Sequence, residues 1–86
     1  MAVIITTEGD MKRPWGDKTP TLDELQEAVG GLIEYVPCKG PLGFMYCNEE
    51  GKLKQLPVNI YATNMIEFND IIVGDVVVME YGDEEE

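Results

Sequence analysis

The chain has 86 residues, 44% of them hydrophobic, and 17 acidic against 6 basic side chains give it a net charge of −11. That length sets one small domain, and the apolar fraction sets a folded rather than a disordered one. The missing cationic footprint argues against direct binding to nucleic acid or to an anionic membrane.

Val3-Ile4-Ile5-Thr6 is β-branched throughout and begins the sheet. The N-terminal stretch has no basic region ahead of it, so it is read as a strand and not as a signal peptide. Glu8 to Pro20 carries two glycines and two prolines with no periodicity, the pattern of a loop. That loop also holds Lys12, Arg13 and Lys18, half of the cations, and the single tryptophan, Trp15. Two readings fit it: a lid in which Trp15 folds onto the core, or a ligand arm offering an aromatic plate beside cations.

Thr21 followed by Glu24 is a capping box, and Leu22, Leu25, Ala28 and Val29 recur at helical spacing. Gly30-Gly31 ends the helix, one glycine taking the left-handed cap position. Leu32 to Val36 is a second strand, stopped by Pro37, and Phe44 to Cys47 is a third. Asn48-Glu49-Glu50-Gly51 suits a reversal with Gly51 at positive φ, and Lys52 to Leu56 alternates polar and apolar. The expectation is a hairpin pairing Phe44–Cys47 with Lys52–Leu56. Ala62 to Phe68 forms a short helix or turn, with Asn59 as a start, and Val76 to Glu80 is an apolar strand covered on both faces. The fold class is α+β: a small, mainly antiparallel sheet of about five strands with one principal helix packed on one face. Residues 1–82 form this single domain, and residues 83–86 are an acidic tail whose like charges keep it disordered.

Catalysis has little to work with. There is no histidine, no Cys-x-x-Cys and no phosphate-binding glycine pattern, and Glu49-Glu50 are adjacent on a turn and diverge. Cys38 and Cys47 suit small core positions as a reduced pair. The expectation is a protein that is not an enzyme and uses no cofactor and no metal.

The segments T-L-D-E-L-Q-E-A-V-G-G, Y-C-N-E-E-G-K-L-K-Q-L-P-V-N and D-I-I-V-G-D-V-V-V resemble a family of small uncharacterised domains from bacteriophages and bacterial mobile elements. That family carries a domain-of-unknown-function label. The likeness runs from Thr21 to Met79 and implies a small α+β domain, a viral or mobile-element origin and a cytoplasmic setting in a bacterial host. It implies no reaction. The chain departs from the family pattern where Ile60 and Tyr61, rather than a basic residue, follow Asn59. Its Glu8–Pro20 loop is also longer.

Two functions fit. The first is a non-catalytic module that sequesters a nucleotide-derived immune signal of the host, an anti-defence sponge. Its candidate ligand-binding residues are Arg13, Trp15, Asn48, Lys52, Asn59, Tyr61 and Asn64: Trp15 for a base, Arg13 and Lys52 for phosphate, Asn59 and Asn64 for polar edges and Tyr61 as a wall, with Asn48 near the hairpin. The pocket would lie at a boundary between subunits of a homo-oligomer that buries part of Ile71–Met79. The alternative is an acidic inhibitor, or DNA mimic, that blocks a basic host protein through its charge.

Overall fold

The computed structural model describes residues 2–80, so the acidic run 83–86 lies outside the described residues. Five strands, β1 (Ala2–Ile5), β2 (Met11–Lys12), β3 (Ile33–Pro37), β4 (Phe44–Asn48) and β5 (Val76–Met79), form an antiparallel sheet in the order β2-β1-β5-β4-β3. The principal helix, α1 (Leu22–Val29), packs on it, as the α+β reading expects.

Strand β5 is central. It pairs with β1 from Ala2↔Met79 to Ile5↔Val76 and with β4 from Phe44↔Met79 to Tyr46↔Val77. Successive side chains of a strand point to opposite faces, and β5 splits its four buried residues accordingly. Val77 and Met79 join Ala2, Phe44, Leu25 and Val29 beneath α1. Val76 and Val78 join Ile5, Val36, Met45, Cys47, Ala62, Ile66 and Ile72 on the other side. An apolar run without alternation is what a strand covered on both faces requires. The cover on the second face is α2 (Ile60–Thr63) with the chain from 65 to 72. The burial of Val76–Met79 within one chain therefore removes the reason for expecting them at a subunit boundary; of the Ile71–Met79 stretch, Ile71 stays exposed.

Helix α1 forms as its caps dictate. Thr21 Oγ1 accepts from the Glu24 N–H at 3.2 Å, and Glu24 Oε1 accepts from the Thr21 N–H at 2.9 Å. Gly30, at φ 84°, closes the other end by donating to the Gln26 carbonyl. Leu25 and Val29 are buried, each contributing about 2 kcal/mol by removal from water. Leu22 is exposed instead of joining the apolar face, because it stands in the first turn, beyond the sheet contact.

Two sequence expectations are corrected. The Glu8–Pro20 loop contains β2: Thr6 donates to the Asp10 carbonyl, Gly9 donates to that of Thr6, and the reversal lays Met11–Lys12 on β1. A strand of two exposed residues leaves no period to read. The hairpin of Phe44–Cys47 with Lys52–Leu56 does not form. Both edges of β4 are taken, one by β3 and one by β5, so no edge remains for residues 52–56. These residues coil through short turns such as Lys54 N–H to the Glu50 carbonyl and Leu56 N–H to that of Gly51. Positive φ falls on Gln55, at 57°, and not on Gly51. Gly51 is required for space: a β-carbon there would lie 2.8 Å from Val73 Cγ2.

The true hairpin is β3–β4, closed by residues 38–43 with Cys38 N–H donating to the Gly43 carbonyl at 2.9 Å. Gly43 has φ 102°, and a β-carbon on it would overlap the Met79 carbonyl oxygen of β5. Gly40, in the same connection, has φ 49° with open space around it. Gly43→Ala should cost on the order of 2–3 kcal/mol in urea melts and Gly40→Ala only about 1 kcal/mol. Equal costs would show that the approach to β5 does not constrain the hairpin.

Candidate functional site

The seven residues singled out from the sequence do not converge within one chain. Arg13 is exposed, and Trp15 is half-buried against Ile4 and the α1 cluster, the lid arrangement. The groove beside Trp15 is walled by Pro14, Ala28 and the carboxylate-bearing Glu24 and Glu27, poor company for phosphate. Asn59 and α2 lie across the sheet from Trp15, with Ala62 in the second core cluster. Tyr61 is exposed and lays its ring against Gly9, where a β-carbon would lie 2.7 Å from the ring. Asn64 is exposed and ends α2.

Asn48 and Asn59 are structural. Asn48 Nδ2 donates to the Val29 carbonyl at 3.1 Å, tying the end of α1 to β4, while Oδ1 accepts from the Glu50 N–H at 2.8 Å. Asn59 is fully buried. Its Nδ2 donates to the Ile5 carbonyl at 3.0 Å and the Gly74 carbonyl at 2.9 Å, and its Oδ1 accepts from Ala62 N–H at 3.0 Å, capping α2. Among the described residues every buried side-chain nitrogen and oxygen has a partner. The interior holds no polar group there awaiting a ligand.

Of the seven, Lys52 and Asn48 line a cleft between the turn after β4 and the chain before β5, and the Asn48 amide is already committed to the Val29 carbonyl and the Glu50 N–H. This cleft, about 230 Å³, opens at the β3 edge on the face away from α1. Its floor is Val36 of β3 and Cys47 of β4, paired strands that place both side chains on that face. One wall is the turn after β4, with Glu49, Lys52 and Leu53; the other is the chain from Phe68 to Val73. The charged residues around it are Glu34, Glu49 and Asp70 against Lys52, so its own charge is negative. Its rim is apolar: Leu53 is 85% exposed, Ile71 52% and Phe68 49%. Of the three rim residues, Leu53 was read into a strand at 52–56 that does not form, Phe68 into the turn from Ala62, and Ile71 into the stretch expected at a subunit boundary.

The field in the cleft registers on its own groups. Burial pushes the Cys47 thiol up to about 11, with Glu34 and Asp70 adding to the rise and Lys52 opposing it. Hydrogen bonds from Lys52 and then from the Ile71 N–H hold the Asp70 carboxyl below its ordinary value. Lys52 Nζ lies 2.6 Å from Asp70 Oδ1, and both side chains are solvent-accessible. A neutral, buried thiol is a poor nucleophile. No helix among the described residues is long and apolar enough to cross a membrane.

The model of the family described as Domain of unknown function (DUF3846) matches residues 1–86, the whole length given. No curated protein and no solved structure matches the chain.

Two measurements check the site's anatomy. Asn59→Ala leaves two buried carbonyls without their donor and uncaps α2, and should lower stability by about 3 kcal/mol or more in urea melts; a loss under 1 kcal/mol would contradict a structural role. The raised Cys47 value means that the folded chain keeps a proton the unfolded chain releases. Stability is therefore intact below the ordinary thiol value of 9.0 and falls as pH rises from there to about 11. Cys47→Ala should flatten that alkaline fall relative to the parent chain; identical slopes would place the thiol in contact with water.

Proposed function

The chain belongs to this DUF3846 family, and on the geometry above we propose that it is a non-catalytic binding module that engages a basic, partly apolar segment of a protein partner. The observation that carries this reading is the acidic cleft at the β3 edge, with its apolar rim. Charge complementarity steers a cationic partner and fixes its register, and the exposed apolar side chains supply area to desolvate. The net charge of −11 works in the same direction at long range. A cytoplasmic setting in a bacterial host, and a phage or mobile-element origin, complete the proposal, in which the chain blocks a basic host protein. Sequestration of a nucleotide has less support: within one chain Trp15 packs on the α1 face while Asn59 caps α2 on the other, and the amide groups of Asn48 and Asn59 already serve the fold.

The test is a calorimetric panel on the full chain. Its arms are arginine- and lysine-containing peptides with leucine or tryptophan neighbours, the same peptides with serine in place of the apolar residues, acidic peptides, and cyclic and linear dinucleotides. The expected result is binding of the basic apolar peptides, weakened by salt because the Debye length falls from about 10 Å at 0.1 M to about 3 Å at 1 M. Nucleotide binding that raises the melting temperature, with no peptide bound, would overturn the proposal.

A further inference from the structure

We infer that Asp70 is the cation subsite of the cleft and that Lys52 is its built-in competitor, which an arginine of the partner displaces. The inference rests on the binding reading above and deepens it. Lys52 Nζ sits 2.6 Å from Asp70 Oδ1, the place an incoming cation would take. The carboxylate is held ready: the Ile71 N–H donates to the same Oδ1 at 2.7 Å, so backbone geometry and not only the lysine sets its direction. Both recorded bonds fall on Oδ1, leaving Oδ2 for a second donor.

The chemistry favours arginine as the occupant. A guanidinium offers parallel N–H donors that engage both oxygens of a carboxylate, whereas an ammonium acts as a point charge on one. Lys52 therefore holds the site with a weaker grip than an arginine would. An exposed lysine–carboxylate pair is a weak interaction in itself, so displacement costs little. Displaced, the lysine can swing into water on its flexible stem, and Glu34 and Glu49 remain beside the incoming charge. Phe68 and Ile71, the neighbours of Asp70 in the same wall, are half exposed and present the surface on which an apolar side chain next to the arginine would lie. The lysine then serves selectivity: it keeps the carboxylate neutralised against weak or purely cationic solutes and yields to a ligand that brings both a bidentate donor and apolar area.

The opposite signs of two substitutions test this. Fluorescence anisotropy with a labelled Leu-Arg-Trp-containing peptide, on the full chain, should show Lys52→Met tightening binding about two- to fivefold, the range of a surface charge pair. Asp70→Asn should weaken it about tenfold or more, the range of a hydrogen bond to a charged group. A matched peptide with lysine for arginine should bind less tightly to the parent chain. Melting temperatures check that both variants are folded, which the exposure of the two side chains favours. If no basic peptide binds the parent chain, the binding reading fails and this inference with it. If the peptide binds but neither substitution changes affinity, the binding face lies elsewhere and only this inference falls. If Lys52→Met weakens binding, the lysine contacts the ligand directly and the competitor role is overturned.

Discussion

The side-chain amide of Asn59 joins three parts of the chain that are far apart in sequence. It ties the end of β1 at Ile5, the approach to β5 at Gly74 and the first turn of α2 at Ala62. Its backbone N–H donates to the Ile72 carbonyl, beside the bridge between Val58 and Val73. These bonds act with the packing of Ala62, Ile66 and Ile72 and the Lys39 N–H bond to the Met65 carbonyl to place the chain from 57 to 74 on the sheet. With them it becomes the second cover of β5 and the outer wall of the cleft. Burying an amide is unfavourable unless its hydrogen bonds are made, and here all three recorded side-chain bonds reach main-chain atoms, which strengthens the case for placement over ligand recognition.

The two faces of the sheet are stabilised differently. Beneath α1 the contacts are apolar and aromatic, with Tyr35 stacked on Phe44 at 5.0 Å between ring centroids and Phe44 meeting Tyr46 edge-on at 5.5 Å. The helix itself is short and depends on its caps and on the Asn48 bond at its C-terminal end. On the other face a two-turn-or-less helix and irregular chain do the covering, so that face relies on side-chain-to-backbone bonds such as those of Asn59 and Thr63. Irregular backbone leaves gaps that helices do not, and the cleft between residues 49–53 and 68–73 is such a gap.

Much of this architecture was legible in the residues. The capping box at Thr21 and Glu24, the glycine stop at Gly30 and the unbroken apolar run at Val76–Met79 each specify a local structure that tertiary contacts then accept. What was not legible depended on partners distant in sequence. Lys52–Leu56 alternates like a strand, but no free edge of β4 existed to receive it. Asn59 looked like a ligand residue and also like a helix start; only its burial against Ile5 and Gly74 decides between them. Trp15 could be plate or lid, and its packing on the α1 cluster makes it a lid. The cleft was hidden because Glu34, Cys47, Lys52 and Asp70 come from four separate segments, which no spacing rule connects.

The central claim is that recognition belongs to the acidic cleft and not to the tryptophan loop. Amide chemical-shift mapping on the isotope-labelled chain, with an arginine-containing apolar peptide added in steps, tests it most directly. The account predicts that shifts concentrate at Glu34, Cys47, residues 49–53 and residues 68–73, with Ile71 among the largest because its N–H is bonded to Asp70. Shifts centred on residues 13–15 and 24–28 and leaving Ile71 unmoved would contradict it.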